Sequence, residues 1–425
     1  MEVWRVINRL NAGNMRKKII IASAVFPPEQ VTSALMNYDL AKALSKDYDV
    51  IVLRPYPTRP IGMKFDYVGM GEVPFQTILI DSYTHPESQL IGRFKESIDF
   101  GRKCAQYIRE HHDEIAFIYN NPWQLFGVSI VARIANKYHI PYMIAIQDIY
   151  PECLFTNKHY PSIVKKVAFS ILKPIDKYYQ KHAASIRTIS DEMADYLSST
   201  RELPREQYLV VNNWQNDEDF EGLKDAQEDE KLRFVYSGSI NLHANVDLII
   251  KAFAKAHIPN SELIIYGGGN QKENCVKMVK EMGLKNVSFG FVKRTEIPQV
   301  QANASALVLA LPSGNGNLCL PSKMTSYMLS GKPVIASVDQ DSATTRYIKE
   351  AQCGISVEPD DIDALAEGFR KFSFMPHEQL KTLGTNSRQF AEKNLTRKVN
   401  LQMLCDEINR IIKKPNINKD ESINS

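Results

Sequence analysis

Residues 320–337 read LPSKMTSYMLSGKPVIAS and place a lysine where a helix does not favour one. Pro321 suits the first position of a helix, where the backbone N–H groups of Ser322 and Lys323 have no partner within the helix. A cation in this first turn lies at the positive end of the helix dipole, which is unfavourable unless an anion shares the site. A bound phosphate would explain Lys323, with the Ser322 hydroxyl as a further donor. A solvated lysine is the alternative.

A second short motif could also hold an anion. Ser237-Gly238-Ser239 directly follows an apolar stretch, and a helical pattern begins near Asn245. The glycine lets a phosphate approach the backbone closely, and the amino end of the following helix favours negative charge. The alternative is an ordinary strand-to-helix turn without a ligand.

Other motifs for phosphate, dinucleotide or metal binding are absent or weak. The sequence contains no GxxxxGK[ST] loop, and Gly267-Gly268-Gly269 lacks the GxGxxG spacing, so a tight turn explains it better. Asp339-Gln340-Asp341 and Asp361-Ile362-Asp363 imitate a DxD metal motif, but short acidic triplets often arise by chance. Asp361 is also well placed to cap a helix. We therefore predict no metal site and no cofactor.

The net charge and the cysteine content indicate which classes of partner the protein has and in which cellular compartment it lies. Lys and Arg number 52 against 49 Asp and Glu, a formal net charge of +3, so no nucleic-acid partner is predicted. The six cysteines form no CxxC pair and have no histidine at ligand spacing, which favours reduced thiols in the cytoplasm. An anionic ligand must therefore be bound by local groups.

Strand and helix patterns alternate along both halves of the chain. The predicted helix Asn245–Ala256 has Val246, Ile249, Ile250 and Phe253 on one face. The predicted strands are Lys17–Ser23, Val50–Leu53, Leu232–Ser237, Glu262–Tyr266, Val287–Phe289, Ala306–Leu311, Pro333–Ala336 and Gly354–Val357. Such alternation is typical of parallel sheets covered by helices. We predict an α/β fold of two doubly wound Rossmann-like domains facing a cleft, with ligands at the carboxyl ends of the strands.

The domain boundaries follow from a change in composition. Gln215–Glu230 is rich in Asp and Glu and is predicted to be the linker. An N-terminal domain is then expected at residues 15–216, a C-terminal domain at residues 231–393 and a last helix at residues 394–413. Met15 stands directly before Arg16-Lys17-Lys18 and the first strand, so residues 1–14 are expected to be dispensable. The polar segment from Lys414 is expected to be disordered.

Several motifs together resemble a known family. They are Phe26–Glu29, Gln147–Glu152, Ile189–Glu192, Val211–Trp214, Gly238-Ser239, Tyr266–Gly269, Gly290–Val292, Leu320–Lys323 and Gly331–Ala336. They resemble GT-B glycosyltransferases of family 4, in the branch that builds capsule, O-antigen and colanic-acid-type polysaccharides. The resemblance extends over residues 17–410 and is most specific in the block from LPSK to SGKPVIAS.

The resemblance implies that the second domain binds a nucleoside diphosphate-sugar and the first domain binds the acceptor. The donor-binding residues would be Gly238, Ser239, Gly267, Gly268, Phe291, Val292, Arg294, Leu320, Pro321, Ser322, Lys323 and Ser326. The acceptor-binding residues would be Glu29, Gln30, Gln147, Asp148 and Glu152. Lys323 and Asp148 are the predicted catalytic residues. The last helix would cross back onto the first domain.

Three positions depart from the family pattern. Ser326 stands where many relatives have a glutamate that binds the ribose. Gln147-Asp148 stands where a histidine is common in relatives, after a strand of the acceptor domain. Asn241–Asn245 lacks an Arg/Lys pair that many relatives carry. With fewer other cations at the donor site, Lys323 would have to supply more of the positive charge that faces the diphosphate. Arg294 and His243 are candidates for additional cations at this site.

The leading hypothesis is a retaining hexosyltransferase that moves a sugar to a lipid-linked saccharide in surface polysaccharide biosynthesis. In the family's scheme the leaving diphosphate can take the acceptor's proton, so no pair of carboxylates is required. The departures keep open a catalytically inactive GT-B partner subunit, which would bind a nucleotide sugar or a transferase without turnover. A nucleotide-sugar epimerase of GT-B fold is the third hypothesis.

A membrane surface is a further predicted partner. Basic and apolar residues are interleaved between Lys158 and Lys181, and Asp176 is the acidic residue among them. Basic amphipathic segments bind anionic lipid, whereas an ordinary solvated helix is the alternative. We therefore expect a cytoplasmic protein that is peripheral on the inner face of the plasma membrane.

Overall fold

The structure is a computed structural model that describes residues 16–29, 31–59, 65, 71–85, 90–155, 161–224, 231–314 and 320–414. The chain forms two compact units. Unit 1 contains residues 1–188, 198–211 and 401–425, and unit 2 contains residues 189–197 and 212–400. The predictions for residues 1–14 and for Gln30 lie outside the described residues.

Unit 1 is built on a seven-stranded parallel sheet in the order β3-β2-β1-β4-β5-β6-β7. The strands are β1 Lys18–Ser23, β2 Asp49–Arg54, β3 Gln76–Leu79, β4 Ile115–Asn121, β5 Tyr142–Ala145, β6 Ser185–Thr188 and β7 Tyr208–Val210. The inner strand β1 is buried from Ile19 to Ser23, as expected of a parallel strand covered on both faces. Within the sheet, Ile20 pairs with Ile51 of β2 on one side and with Ile118 of β4 on the other.

Helices connect these strands. They are α1 Thr32–Leu44, α2 Leu90–His111, α3 Phe126–Lys137 and α4 Ser162–Lys181, while α5 Asp191–Arg201 and the last helix, α13 Arg397–Lys413, each have residues in both units. Helix α1 buries Ala34, Leu40 and Ala41, at the spacing expected of a helix with one core-facing side. Within unit 1, the Tyr48 hydroxyl donates a hydrogen bond of 2.6 Å to Asn409 of α13.

Unit 2 is built on a six-stranded parallel sheet in the order β10-β9-β8-β11-β12-β13. The strands are β8 Leu232–Ser237, β9 Ser261–Tyr266, β10 Val287–Gly290, β11 Ala306–Ala310, β12 Val334–Ser337 and β13 Gly354–Val357. The helices are α6 Val246–Ala256, α7 Lys272–Glu281, α8 Ile297–Ala302, α9 Ser322–Leu329, α10 Ala343–Ala351, α11 Ile362–Ser373 and α12 His377–Asn394.

The core of unit 2 centres on three phenylalanines, one from a strand and two from helices. The ring centroids of Phe234 and Phe369 are 4.9 Å apart with an edge-to-face angle of 87°, and Phe253 completes the group. Asp361 caps α11, as predicted, by accepting a hydrogen bond of 2.9 Å from the Ala364 N–H.

In both sheets the strand order reverses at one point, between β1 and β4 in unit 1 and between β8 and β11 in unit 2. This is the doubly wound arrangement, and the prediction of two such α/β sheets is confirmed. At such a point two loops leave neighbouring strands in opposite directions, and the crevice between them is the usual ligand site. Among the described residues, no helix is both long enough and apolar enough to span a bilayer.

Candidate functional site

The crevice of unit 2 lies beyond the carboxyl ends of β8 and β11. The loop after β8 begins at Gly238, and the chain after β11 returns at Leu320 to start α9. The two predicted anion motifs, Gly238-Ser239 and Pro321-Ser322-Lys323, are therefore on the same edge of one sheet. They flank its switch point, which is where a ligand of this fold is expected.

Lys323 reaches across this crevice to Gly238. A Cβ atom built on Gly238 would lie only 2.1 Å from Lys323 Cε, and Gly238 has a φ of +145°. The Lys323 ammonium is 5.3 Å from the centroid of the buried Tyr236 ring, within the range of a cation–π contact. The glycine thus provides the space in which the lysine side chain lies, half-buried, at the head of α9.

The glycines after β9 pack on the loop after β8. A Cβ on Gly267 would come within 1.9 Å of the Gly238 carbonyl oxygen, so any side chain there would displace the backbone. The Gly238 N–H donates to the Tyr266 carbonyl at 2.9 Å, and the Ile240 N–H donates to the Gly268 carbonyl at 2.8 Å. These contacts fix the backbone on which an anion would rest. Gly267 is thus structural, while Gly268 is exposed.

A buried glutamine that the sequence reasoning missed links α9 to β8. Gln301 donates to Ser237 Oγ at 2.7 Å, and its amide oxygen accepts from Ser326 at 2.8 Å and Ser330 at 2.6 Å. The Tyr327 hydroxyl accepts from the Ser237 N–H at 2.9 Å. The signal in the sequence was two serines four residues apart on one side of a short helix, where apolar residues would be expected.

The segment before the second sheet also holds the start of α9. The Gln215 side chain donates to the Ser322 carbonyl at 3.4 Å, and the Thr325 hydroxyl donates to the Asn213 carbonyl at 3.3 Å. Asn212 in turn donates to the Tyr347 hydroxyl at 2.7 Å. The motif Val211–Trp214 therefore contains residues that position the helix carrying Lys323.

The remaining predicted donor residues lie around the same edge. Phe291 follows β10 and is 81% exposed, so its ring is available to stack on a planar ligand, and Val292 beside it is half-buried. Arg294 is exposed in a short 3-10 turn, Ser239 is exposed in the loop after β8, and Leu320 is buried. The Ser326 hydroxyl is directed to Gln301, so its contact with a donor stays a prediction.

Carboxylates near this edge bind the protein's own loops. Asp360 accepts from the Asn245 side chain at 2.8 Å and from the Ser313 N–H at 3.1 Å, and Asp339 accepts from the Gly314 N–H at 3.0 Å. Asp360 thereby connects the loop after β8 with the loop after β11. Across the described parts of the chain, no three His, Cys, Asp or Glu side chains are grouped in a way that could hold a metal ion.

In unit 1 the corresponding edge is organised by Glu29. Its carboxylate is buried and accepts hydrogen bonds from the N–H groups of Thr58 at 2.8 Å, Arg59 at 3.0 Å and Phe26 at 3.3 Å. Burial is the largest influence on the Glu29 carboxyl and, despite these hydrogen bonds, raises its pKa to about 7. Glu29 therefore joins the loops after β1 and β2 and titrates near neutral pH.

The other predicted acceptor residues have different surroundings. The Gln147 side chain accepts a hydrogen bond of 2.6 Å from Ser33, and Asp148 beside it is exposed. Glu152 is buried and accepts from both ends of the Arg201 guanidinium, at 2.7 and 2.9 Å, so it has a structural partner. That Glu152 also contacts an acceptor stays a prediction.

An aromatic and cationic cluster beside this edge was not predicted. The guanidinium of Arg59 lies 4.0 Å from the centroid of the Trp123 ring, and that of Arg93 lies 5.3 Å from it. Glu96 accepts from Arg93 at 2.8 Å, while burial raises the pKa of the Glu96 carboxyl more than Arg93 lowers it. No regular spacing in the sequence connects residues so far apart.

Two doubly wound parallel sheets with glycine-rich loops at the switch point of the second define a GT-B fold. Residues 218–390 match the family model described as Glycosyl transferases group 1. The structure is similar to that of HepE from Anabaena, solved with UDP, with a TM-score of 0.66 and 14% identity; the match covers 92% of this chain and 100% of HepE. This last likeness concerns the fold alone.

Two relatives found by sequence similarity are both described as glycosyltransferases. A protein of Escherichia coli (strain K12) described as a colanic acid biosynthesis glycosyl transferase, WcaI, is 23% identical over 236 residues. That match covers 53% of this chain and 56% of WcaI, so the chain matches little more than half of that relative's length. The glycosyltransferase WbjE of Pseudomonas aeruginosa is 20% identical over 69% of this chain and 74% of its own. Together with the group 1 domain, these matches support a transferase enzyme.

Proposed function

We propose that this chain is a glycosyltransferase that moves a sugar from a nucleoside diphosphate-sugar to a saccharide acceptor. Unit 2 binds the donor and unit 1 binds the acceptor. The proposal rests above all on one observation, the half-buried Lys323 ammonium held over Gly238 at the switch point of unit 2. An anion at this site, such as a diphosphate, would make a cation at a helix start favourable.

The proposed chemistry is transfer with retention of the anomeric configuration, as in family 4. The bond between the anomeric carbon and the diphosphate oxygen breaks, and a bond from the acceptor hydroxyl oxygen forms on the same face of the sugar. The acceptor's proton passes to an oxygen of the leaving diphosphate. Negative charge grows on that diphosphate, and Lys323 and the N–H groups at the start of α9 stabilise it.

Different groups of unit 2 would bind the base and the diphosphate of the donor. The exposed Phe291 and the backbone of Val292 contact the base, while Ser322 and Lys323 bind the diphosphate. HepE is described in complex with UDP, which supports a uridine diphosphate-sugar among the first donors to test. Arg294 and His243 remain candidate second cations.

The acceptor is proposed to be a lipid-linked saccharide of a surface polysaccharide. The description of WcaI as a colanic acid biosynthesis enzyme supports this class of product. In unit 1 the exposed Asp148 is the proposed contact for the acceptor hydroxyl. A lipid-linked acceptor would be presented at a membrane, which requires a surface of the enzyme that binds lipid.

Helix α4 supplies such a surface. Ile163, Val167 and Ile171 repeat every four residues on its outer side and are 67%, 51% and 60% exposed, and Val164 beside them is 44% exposed. Leu172 and Tyr179, which are also in this basic and apolar segment, are instead buried on the inner side. Lysines flank the exposed aliphatic residues, so the outer side of α4 combines apolar and basic groups. We propose that it lies on the anionic inner face of the plasma membrane.

The experiment is incubation with a panel of UDP- and GDP-sugars, with and without lipid-linked saccharides extracted from membranes. The proposal expects nucleotide release that depends on the acceptor and a new glycan of one added sugar. Binding of a nucleotide sugar without release would indicate the inactive partner subunit. Conversion of the donor sugar in the absence of any acceptor would indicate the epimerase.

A further inference from the structure

One flank of helix α4 contacts the loop after β5. The rings of Phe155, which follows the short 3-10 turn of this loop, and of Phe169 on α4 have centroids 5.3 Å apart. One turn after Phe169, the Lys173 ammonium lies 5.4 Å from the centroid of the Phe169 ring and 3.8 Å from the Glu152 carboxylate. This flank therefore joins the proposed membrane-binding helix to the loop that carries Asp148.

Lys173 belongs to a group of four charged side chains, and the other three are buried. Arg201 donates to both oxygens of Glu152, at 2.7 and 2.9 Å, and to Asp176 at 2.6 Å. The Lys173 ammonium is farther from Glu152 than a hydrogen bond allows, and its side chain is 36% exposed. The two cations and two carboxylates balance each other, but Lys173 is the member of the group that solvent reaches. A ligand at this flank thus meets a positive charge first.

Apolar surface continues from this flank to the outer side of α4. Phe155 and Phe169 are both half-buried. At about 100° per residue, the flank with Phe169 and Lys173 lies between the buried side of the helix and its outer side, where Val167 and Ile171 are exposed. The order across unit 1 is therefore the loop with the proposed acceptor contact, then a cation with two aromatic rings, then exposed aliphatic side chains.

A saccharide that is joined to a lipid through a phosphate has its groups in the same order: sugar, anion, alkyl chain. We propose that this flank of α4 is a subsite for the lipid phosphate of the acceptor. Lys173 donates a charge-assisted hydrogen bond to the phosphate, while Phe155 and Phe169 contact the first carbons of the chain. The rest of the chain continues past the outer side of α4 into the membrane. This subsite rests on the proposed function, since it assigns a part of the same acceptor.

Calorimetric titration with decyl phosphate and with decanol tests the subsite without turnover. Lys173→Met keeps the length of the side chain and removes the charge. It should weaken the binding of decyl phosphate by about tenfold or more and leave the binding of decanol unchanged. Phe169→Ala should weaken the binding of both probes by about fivefold or more, because both contain the chain. Inorganic phosphate at the same concentration should not displace decyl phosphate, because it lacks the chain.

The matched control is Lys137→Met at the end of α3 in the same unit. The Lys137 ammonium lies 5.5 Å from the centroid of the Tyr138 ring, so each variant removes a lysine that contacts an aromatic ring. Lys137→Met should bind decyl phosphate as tightly as the unmodified chain. Lys173→Arg keeps the positive charge and should retain most of the affinity.

Turnover supplies a second readout. With the lipid-linked acceptor, Lys173→Met should raise the KM for the acceptor by about tenfold and leave kcat and the donor KM unchanged, because the lipid phosphate takes no part in the transfer. With the same saccharide cleaved from its lipid phosphate, the KM should be equal for both proteins. If the unmodified chain shows no turnover but the probes bind as expected, the result contradicts the proposed function and not the subsite.

Three results would overturn the subsite. The first is equal affinity of Lys173→Met and the unmodified chain for decyl phosphate. The second is decyl phosphate binding that Lys323→Met abolishes and Lys173→Met does not, which would place the phosphate in unit 2. The third is that Lys173→Met abolishes flotation with vesicles of phosphatidylglycerol and phosphatidylcholine, which would assign Lys173 to phospholipid headgroups.

Discussion

Lys323 carries the proposed chemistry, so its replacement is the most direct test at the scale of one residue. Lys323→Met keeps the length of the side chain and removes the charge that faces the leaving diphosphate. Removing one preorganised group of this kind costs roughly 3–4 kcal/mol, or a fall of about 10²–10³-fold in kcat. Most of the loss should appear in kcat because the charge on the diphosphate grows only as the sugar leaves.

Stability and a control variant separate this role from a structural one. The free energy of unfolding should change little, because removing an unfavourable charge from the helix start offsets the loss of the contact with the Tyr236 ring. Lys277→Met removes a lysine that is 76% exposed in the side chain and should leave kcat and nucleotide affinity unchanged. Turnover by Lys323→Met within threefold of the unmodified enzyme would falsify the assigned role.

Glu29 gives the second residue-scale prediction, which concerns pH. Its folded-state pKa of about 7 is above the ordinary value of 4.5, so between these pH values the folded chain binds more protons than the unfolded chain. The corresponding stabilisation is fully present below pH 4.5 and is lost as the pH rises to about 7. Its magnitude is at most roughly 3 kcal/mol, at 1.36 kcal/mol per pKa unit.

The measurement is the free energy of unfolding in urea from pH 5 to pH 8 for the unmodified chain and for Glu29→Gln. The glutamine does not titrate, so the fall in stability with rising pH should become shallower across this range. The Gln amide oxygen can still accept from the N–H groups of Thr58 and Arg59, so we expect the glutamine variant to keep the fold of these loops. Parallel pH curves for the two proteins would refute the shifted titration.

At the scale of the element, the hydrophobic pattern predicted the six strands described in unit 2 but only β1 and β2 of the seven described in unit 1. The bounds of β8 were predicted as observed, because its apolar residues Phe234, Val235 and Tyr236 are buried and the strand is followed directly by Gly238. Helix α6 begins one residue later than predicted because Asn245 has a left-handed conformation with a φ of +44°. Local pattern predicts a helix but not the backbone angle at its first residue.

The parts of the site that depend on residues distant in sequence could not be predicted. Gln301 binds Ser326 and Ser237, which are 25 and 64 residues away from it. Arg201 binds Glu152 across 49 residues. Such pairs are set by the packing of whole elements, and the sequence gives no period that connects them. The motifs Gly238-Ser239 and Pro321-Ser322-Lys323 could be placed on one edge because strand order in this fold fixes which loops are neighbours.

The cap of α11 is the element whose contribution is easiest to measure. Asp361→Ala removes the acceptor of the Ala364 N–H and should lower the free energy of unfolding by about 1 kcal/mol, with a range of about 0.5–2 kcal/mol. Urea unfolding measures it. The control is Glu367→Ala in the same helix. The Glu367 side chain is 70% exposed and forms an ion pair with Arg370. Its replacement should change the free energy of unfolding by less than about 0.5 kcal/mol. Equal effects of the two substitutions would argue against the cap.

At the scale of the whole molecule, the question is how a chain with little net charge would reach an acceptor in a membrane. The formal charge of +3 is too small to attract an anionic surface by itself, so binding must come from a local surface. Helix α4 concentrates exposed aliphatic side chains and lysines on one side. We expect this side to insert its apolar groups between lipid headgroups, with the lysines at the level of the phosphates.

Flotation with liposomes tests this last proposal. Val167→Asp together with Ile171→Asp should abolish most of the binding, because each partly exposed side chain contributes on the order of 1 kcal/mol when buried and a carboxylate is repelled by anionic lipid. Lys165→Ala with Lys166→Ala should weaken binding only to anionic liposomes, by about 1 kcal/mol per lysine, and salt should have the same effect. The control is Val276→Asp on α7, where the valine is 43% exposed in unit 2. Equal flotation of the α4 and α7 variants would contradict the proposal, and so would flotation that depends on neither anionic lipid nor salt. Either result would mean that another part of the chain binds the membrane and brings unit 1 to the acceptor.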